Sequence, residues 1–325
     1  MMEIRDVERL ANSIKKSINQ VIVGKDEIID LMLVALFSSS HVLLDDVPGT
    51  GKTVLAKTMA KSLGTSFNRI QFTPDLLPTD LTGIQFYNQK SGEFEFRPGP
   101  LFSNIVLADE INRATPRTQS SLLECMEERQ VTIDGVTHSL SRPFMVIATQ
   151  NPVESQGTFP LPEAQLDRFL IRISMGYPSK EEGIEILKRF KEKSPLSTIE
   201  AIVNEHDLIQ AQDIYSDVYV NDDILDYLMD IVEKTRTHPD IELGVSPRGS
   251  QALLKAIQVY AILQGREYVE PDDIKKMALP VLSHRIVSNQ LYQQTATNEQ
   301  ILEGIINSVK APVEGDFKEK GSHLL

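Results

Sequence analysis

The chain has 325 residues, of which 41% are apolar, and a formal net charge of −13. This length and apolar content allow two packed domains or one large one and argue against a disordered chain. The acidic balance disfavours a protein that coats nucleic acid or adheres to anionic membranes. The single cysteine, Cys125, excludes an intrachain disulfide, and the apolar runs are too short to span a bilayer. We therefore expect a cytoplasmic protein without membrane insertion.

Short apolar runs alternate with helically spaced segments up to about residue 176. The strand candidates cover residues 41–45, 104–109, 143–149 and 169–174. The helix candidates between them cover residues 52–63 and 115–129. Continuous apolar strands separated by helices are typical of parallel sheets that are covered on both faces, so an α/β domain is predicted over residues 1–176.

Two hairpin candidates interrupt this alternation. Residues 83–97 alternate apolar and polar side chains about a turn at Lys90-Ser-Gly92. Residues 130–140 do the same about Asp134-Gly135, which is a strong signal for a short turn.

Helical periodicity dominates after residue 177. The candidate helices cover residues 179–193, 222–237, 246–263 and 271–283. We predict an all-helical domain over residues 177–311 and a mobile tail over residues 312–325, which lack periodicity.

A glycine-rich segment follows the first strand candidate and opens a helix candidate. Its end, Gly51-Lys52-Thr53, fits the P-loop pattern, in which backbone N–H groups at a helix N-terminus hold phosphate oxygens. Lys52 is expected to reach the β and γ phosphates of ATP, and Thr53 to bind Mg²⁺. Asp46 replaces the first glycine of the pattern, so we expect its carboxylate to turn away from the phosphates. The alternative is a surface turn without a ligand. The nucleotide-binding candidates are Pro48, Gly49, Thr50, Gly51, Lys52, Thr53 and Val54.

Two acidic residues end the second strand candidate. Asp109 is the candidate for holding Mg²⁺, and Glu110 is placed to polarise the attacking water. Two solvated acids at the end of a strand are the alternative, but the P-loop favours the metal site.

Five ordered motifs closely resemble the MoxR branch of the AAA+ ATPases, and the match runs from about residue 21 to residue 283. The motifs are Asp45-Asp-Val-Pro-Gly-Thr-Gly-Lys-Thr53, Leu107-Ala-Asp-Glu-Ile-Asn-Arg-Ala114, Ala148-Thr-Gln-Asn-Pro152, Phe159-Pro-Leu-Pro-Glu-Ala-Gln-Leu-Asp-Arg-Phe169 and Val245-Ser-Pro-Arg-Gly249. The resemblance implies an α/β P-loop AAA+ domain, with a parallel sheet between helices and hairpin inserts, followed by an all-helical lid domain. It is also compatible with an acidic residue at position 46.

The resemblance implies further roles in ATP hydrolysis. Asn151 would be sensor 1, which orients the water and contacts the γ-phosphate. Arg168 would be the arginine finger that acts on ATP in the neighbouring subunit, with Arg172 as its rival. Arg248 would be sensor 2 on the lid. The structural alternatives are a turn for Asn151, an ion pair with a nearby carboxylate for Arg168 and a solvated helix end for Arg248.

The resemblance implies a role for three more segments. Residues 21–24, with Val23 and Gly24 as binding candidates, are similar to the segment that packs against adenine. The two hairpin candidates would be inserts that face the pore of a ring or a partner.

The leading hypothesis is an ATPase that forms a homo-oligomer, expected to be a hexameric ring, and acts like a chaperone on protein partners. MoxR relatives are linked to partners with a von Willebrand factor A domain. A nucleic-acid motor is one alternative, although the first hairpin balances Lys90 and Arg97 against two glutamates and the second lacks Lys and Arg. A nucleotide-gated scaffold with little turnover is the other alternative.

Overall fold

The computed structural model describes residues 2–151, 157–192, 195–289 and 296–312. The chain forms two compact units: the first comprises residues 9–212, and the second combines residues up to 8 with those from 213 onward. The boundary between the units lies later than the change of sequence pattern at residue 177, because the following helix packs with the first unit. For example, Arg189 Nη1 donates to the carbonyl oxygen of Asn19 at 2.9 Å. The predicted tail lies outside the described residues after Pro312.

The helices and strands follow the chain order. The α-helices of the described residues are α1 (Ile4–Asn19), α2 (Asp26–Phe37), α3 (Lys52–Ser62), α4 (Pro78–Thr82), α5 (Pro116–Glu128), α6 (Glu163–Leu166), α7 (Lys180–Glu192), α8 (Glu205–Asp213), α9 (Asp222–Thr237), α10 (Pro247–Leu263), α11 (Pro271–Leu282) and α12 (Asn298–Ser308). The strands are β1 (Val42–Asp45), β2 (Phe67–Gln71), β3 (Gly83–Asn88), β4 (Glu93–Pro98), β5 (Ile105–Asp109), β6 (Gln130–Ile133), β7 (Val136–Ser139), β8 (Met145–Gln150), β9 (Ile171–Ile173), β10 (Ile241–Leu243) and β11 (Val287–Ser288).

A parallel sheet forms the centre of the first unit, in the order β2-β5-β8-β1-β9. Every residue of β5 is buried, as a strand covered on both faces requires. The prediction of a parallel sheet between helices is confirmed. Because the strands are parallel, β1, β5 and β8 all end at one edge of the sheet, where open α/β sheets bind their ligands.

The two predicted hairpins are also confirmed. Hairpin 1 pairs β3 with β4, and hairpin 2 pairs β6 with β7. The ring of Phe96 in hairpin 1 stacks on the ring of His138 in hairpin 2, with 4.2 Å between the centroids. Phe102 contacts both rings edge-on. The hairpins are therefore joined through an aromatic cluster.

Cys125 lies on α5 and is only 3% exposed. Burial raises the pKa of its thiol to about 12, so the group stays neutral at ordinary pH. Cys125 therefore packs as a small apolar residue of α5.

Helices dominate the second unit, which was predicted to be all-helical, and β10 and β11 add a two-stranded antiparallel sheet to it. Arg266 and Asp273 form a bidentate ion pair there: Nη1 donates to Oδ2 at 2.8 Å and Nη2 to Oδ1 at 2.5 Å. Asp273 is 2% exposed and also accepts the backbone N–H of Glu270 at the start of α11. The hydrogen bonds that Arg266 donates to Asp273, together with the negative charge of Asp273, raise the pKa of Arg266 and outweigh the lowering caused by burial. No helix among the described residues combines the length and apolar character needed to cross a membrane.

Asp273→Asn should lower the free energy of unfolding of the second unit by about 2 kcal/mol, because it removes the buried carboxylate that pairs bidentately with the partly buried Arg266 and leaves only the longer contact with Glu270. Urea denaturation followed by circular dichroism measures this change. Asp272→Asn is the matched control, since the side chain of Asp272 is 84% exposed and its ion pair with Lys275 is solvated. Equal shifts of the urea midpoint in the two variants would contradict the assignment.

Candidate active site

The loop from Asp46 to Gly51 leads from β1 directly into α3. Gly49 and Gly51 have φ angles of +88° and +97°, which side chains rarely adopt, so these positions require glycine. Lys52, the first residue of α3, is 9% exposed. Its Nζ donates to the carbonyl oxygens of Asp46 and Val47 at 2.8 and 3.0 Å. The free N–H groups at the start of α3 and the Lys52 ammonium form an anion-binding arrangement.

Asp46 is 5% exposed, and its carboxylate is directed away from this loop's cavity. Oδ1 accepts the N–H of Val47 at 2.8 Å. Oδ2 accepts the N–H groups of Met175 and Gly176, both at 3.1 Å. The expected turn away from the phosphates is present, but two of these three donors lie beyond β9 rather than in the loop.

A cavity of about 380 Å³ lies between the loop and the ends of β5 and β8. It brings together side chains from separate sequence motifs. Its lining comprises Pro48, Gly49, Gly51, Lys52, Thr53, Val54, Arg69, Gln71, Asp109, Glu110, Thr149, Gln150 and Asn151. Thr50 is outside this lining, and its hydroxyl donates to Val47 O at 3.4 Å.

Thr149 connects the two acids at the end of β5. Its hydroxyl donates to Asp109 Oδ1 at 2.7 Å and accepts the N–H of Glu110 at 2.8 Å. Glu110 has a φ of 58°, a left-handed conformation that directs it away from the strand. Sequence reasoning missed Thr149, although it stands within the motif Ala148-Thr-Gln-Asn-Pro152.

Two side chains of the edge strand β2 also contact the acids. Arg69 Nε and Nη2 donate to Asp109 Oδ2 at 3.0 and 2.7 Å. Gln71 Nε2 donates to Glu110 Oε2 at 2.7 Å, and Arg113 Nε lies 3.1 Å from the same oxygen. Both β2 residues were missed because β2 is mostly exposed and shows no apolar run. The alternation of Arg69, Ile70 and Gln71 before Phe72 was the available signal.

The predicted arginines have other partners. Arg168 Nη1 donates to Leu123 O at 2.6 Å and lies 2.8 Å from Glu127 Oε2, both on α5. Arg172 Nε donates to Asp45 Oδ2 at 3.0 Å, between neighbouring strands. Neither arginine lines the cavity. Arg248 belongs to the second unit and is exposed at the start of α10. The functional roles of these arginines remain predictions.

Comparison with known proteins shows which family this chain belongs to. Residues 41–171 match the ATPase family associated with various cellular activities (AAA), and residues 233–305 match the AAA lid domain. The chain is 39% identical to the chaperone MoxR1 of Mycobacterium tuberculosis, over 98% of this chain and 86% of that protein. The chain belongs to the MoxR family of AAA+ ATPases.

Two further similarities support membership of the MoxR family. The chain is 51% identical to the protein YeaC of Bacillus subtilis, over 95% of this chain and 97% of YeaC. The crystal structure of a candidate ATPase from Cytophaga hutchinsonii superimposes with a TM-score of 0.88 at 38% identity, covering 94% of this chain and 96% of that one. The AAA match lies within the first unit and the lid match within the second.

The donor atoms in the cavity fit Mg²⁺, the metal that the ATPase family implies. Thr53 and Asp109 line the same cavity, and they offer the oxygen ligands that Mg²⁺ prefers. Among the described residues, no cluster of three or more His, Cys, Asp or Glu side chains could hold a metal ion. Mg²⁺ usually takes one or two carboxylates and completes its shell with phosphates and water.

A smaller apolar pocket adjoins the cavity, because Val54 lines both. Its other lining residues are Val21, Ile186, Arg189, Phe190, Pro195 and Leu196. Val21 begins the segment that resembles the adenine-packing one, whereas Val23 and Gly24 are outside the lining. Gly24 has a φ of +68°, and a side chain there would overlap Glu182 at the start of α7.

Proposed function

We propose that the protein binds Mg-ATP in the cavity and hydrolyses it. One observation carries this proposal: the Thr149 hydroxyl orients both Asp109 and Glu110 beside Lys52 and Thr53. A loop built only as a surface turn would not need two acids fixed at its side.

Each residue has a chemical task in this proposal. The start of α3 and Lys52 hold the phosphates, and Thr53 and Asp109 hold Mg²⁺. Bound Mg²⁺ neutralises charge that develops on the phosphates during transfer. Glu110 polarises the attacking water, and Asn151 orients it from the end of β8.

The adenine base occupies the apolar pocket next to Val54. Apolar side chains from α3, α7 and the Val21 segment form a site suited to a flat, weakly polar ring. The backbone at Val23 and Gly24 continues the Val21 segment towards the start of α2.

We further propose that the protein works as a hexameric ring in the cytoplasm and remodels protein partners, including one with a von Willebrand factor A domain. The similarity to the chaperone MoxR1 supports this role. In the ring, Arg168 acts on ATP of the neighbouring subunit, and Arg248 on the lid contacts ATP of its own subunit.

Phosphate release from ATP, measured over a range of protein concentrations, tests the proposal. The rate per subunit should rise with concentration, since the arginine finger comes from a neighbour. Chelation of Mg²⁺ with EDTA should abolish turnover. A rate per subunit that is independent of concentration would contradict the ring mechanism, and the absence of both ATP binding and turnover would contradict the nucleotide site. Stimulation by DNA would favour a nucleic-acid motor.

A further inference from the structure

The carboxylate of Asp46 joins two parts of the first unit that are distant in sequence. It accepts one N–H from its own loop and two from Met175 and Gly176, which follow β9. An ionised carboxylate is suited to this position, because both of its oxygens accept and it presents no hydrogen to the three donors. Glycine, which the P-loop pattern has here, would leave these three N–H groups, one buried and two partly buried, without this acceptor.

The exit segment, residues 174–179, connects β9 to α7. Met175 is buried, and Gly176 has a φ of +61°, so the chain turns sharply where Asp46 binds it. Helix α7 begins at Lys180, immediately after this segment. Asp46 therefore attaches the segment that leads into α7 to the phosphate-binding loop.

Helix α7 contributes one wall of the apolar pocket through Ile186 and Phe190. Arg189, on the same helix, donates to the carbonyl oxygens of Asn19 and Gln20, which precede the Val21 wall. The remaining wall includes Val54 of α3. Thus α7 is hydrogen-bonded to the chain just before Val21, and Asp46 connects the segment that leads into α7 with the loop before α3.

From these contacts we propose that Asp46 is a positioning residue that sets the distance between the phosphate cavity and the apolar pocket. The inference rests on the proposed function, in which one ATP molecule occupies both. A ligand that spans both pockets needs them at a fixed separation, whereas a triphosphate without a base needs only the cavity. Loss of the Asp46 carboxylate should therefore weaken binding of the whole nucleotide more than binding of its phosphates.

Calorimetric titration of the full chain with two Mg²⁺-bound ligands tests this proposal. The ligands are the slowly hydrolysed ATP analogue AMPPNP and inorganic tripolyphosphate. In Asp46→Asn, the amide places N–H hydrogens against backbone donors, so the Kd of AMPPNP should rise roughly tenfold while that of tripolyphosphate changes less than about twofold. Asp46→Gly, which restores the P-loop pattern, should show the same difference between the two ligands.

Asp45→Asn is the matched control, because Asp45 also contacts β9, through Arg172, but does not bond the exit segment. It should change the Kd values of both ligands by the same factor. Equal factors for the two ligands in both Asp46 variants would overturn the proposal, as would a ligand-selective loss in Asp45→Asn. Failure of both Asp46 variants to fold would also overturn it, since the role would then be structural. A parent protein that binds neither ligand would refute the nucleotide site and with it this inference.

Discussion

Replacement of Glu110 by glutamine should lower kcat for ATP by at least about 100-fold and leave the affinity for ATP within about threefold. The amide keeps the size of the side chain, and its oxygen can still accept from Gln71 Nε2 and Arg113 Nε. It cannot take up a proton from the attacking water, so the chemical step is lost while the phosphate contacts of Lys52 remain. Steady-state phosphate release gives kcat, and fluorescence of a labelled ATP analogue gives the affinity.

Glu128→Gln is the control for this variant, since it makes the same chemical change at an exposed position near the end of α5. Its kcat should equal that of the parent. Turnover in Glu110→Gln that matches the parent would refute the assignment of Glu110 as the group that polarises water.

Two inactive variants should restore activity when they are mixed. Arg168→Ala subunits keep the ATP cavity but lack the proposed finger, and Lys52→Ala subunits keep the finger but lose the phosphate contact. Alone, each should fall about 1,000-fold below the parent in turnover. In rings assembled from equal amounts, one interface in four pairs an intact cavity with an intact finger, so roughly a quarter of the parent rate should return.

The double variant Lys52→Ala/Arg168→Ala mixed with Lys52→Ala is the control, because neither subunit then has an intact cavity. This mixture should stay inactive. If Arg172 were the finger, Arg168→Ala would keep its turnover on its own, and Arg172→Ala would be the variant whose lost activity returns on mixing with Lys52→Ala. In the described structure Arg172 pairs with Asp45 inside the sheet, whereas Arg168 pairs with Glu127 on α5.

The central sheet and the cavity could be predicted from sequence because local patterns determine them. Strands β1, β5 and β8 are continuous apolar runs, and the residues that follow them must meet at one edge of a parallel sheet. This reasoning alone places Lys52, Asp109 and Asn151 near one another. The Asp-Gly turn similarly determines hairpin 2, since its backbone favours a tight reversal.

The side-chain contacts that hold Asp109, Glu110 and Asp46 in place could not be predicted in this way. Arg69 and Gln71 lie on an edge strand whose exposed residues resemble a loop in sequence, and nothing local pairs them with Asp109 and Glu110. The partners of Asp46 lie far along the chain, beyond β9. Helix α1 was also missed. The boundary between the two units lies later than residue 177, because it depends on which helices pack together and not on the periodicity of the sequence.

The stack of Phe96 on His138 has a mechanical consequence for the two hairpins. Because these two rings stack, a displacement of the tip of hairpin 1 also displaces β7. The force on hairpin 1 is therefore borne at two attachment sites, or anchorages, instead of one. One anchorage is the base of hairpin 1 beside α4, and the other is the junction of β6 with α5. Since α5 begins three residues after Arg113, the second path leads back to Glu110 through a short, stiff helix.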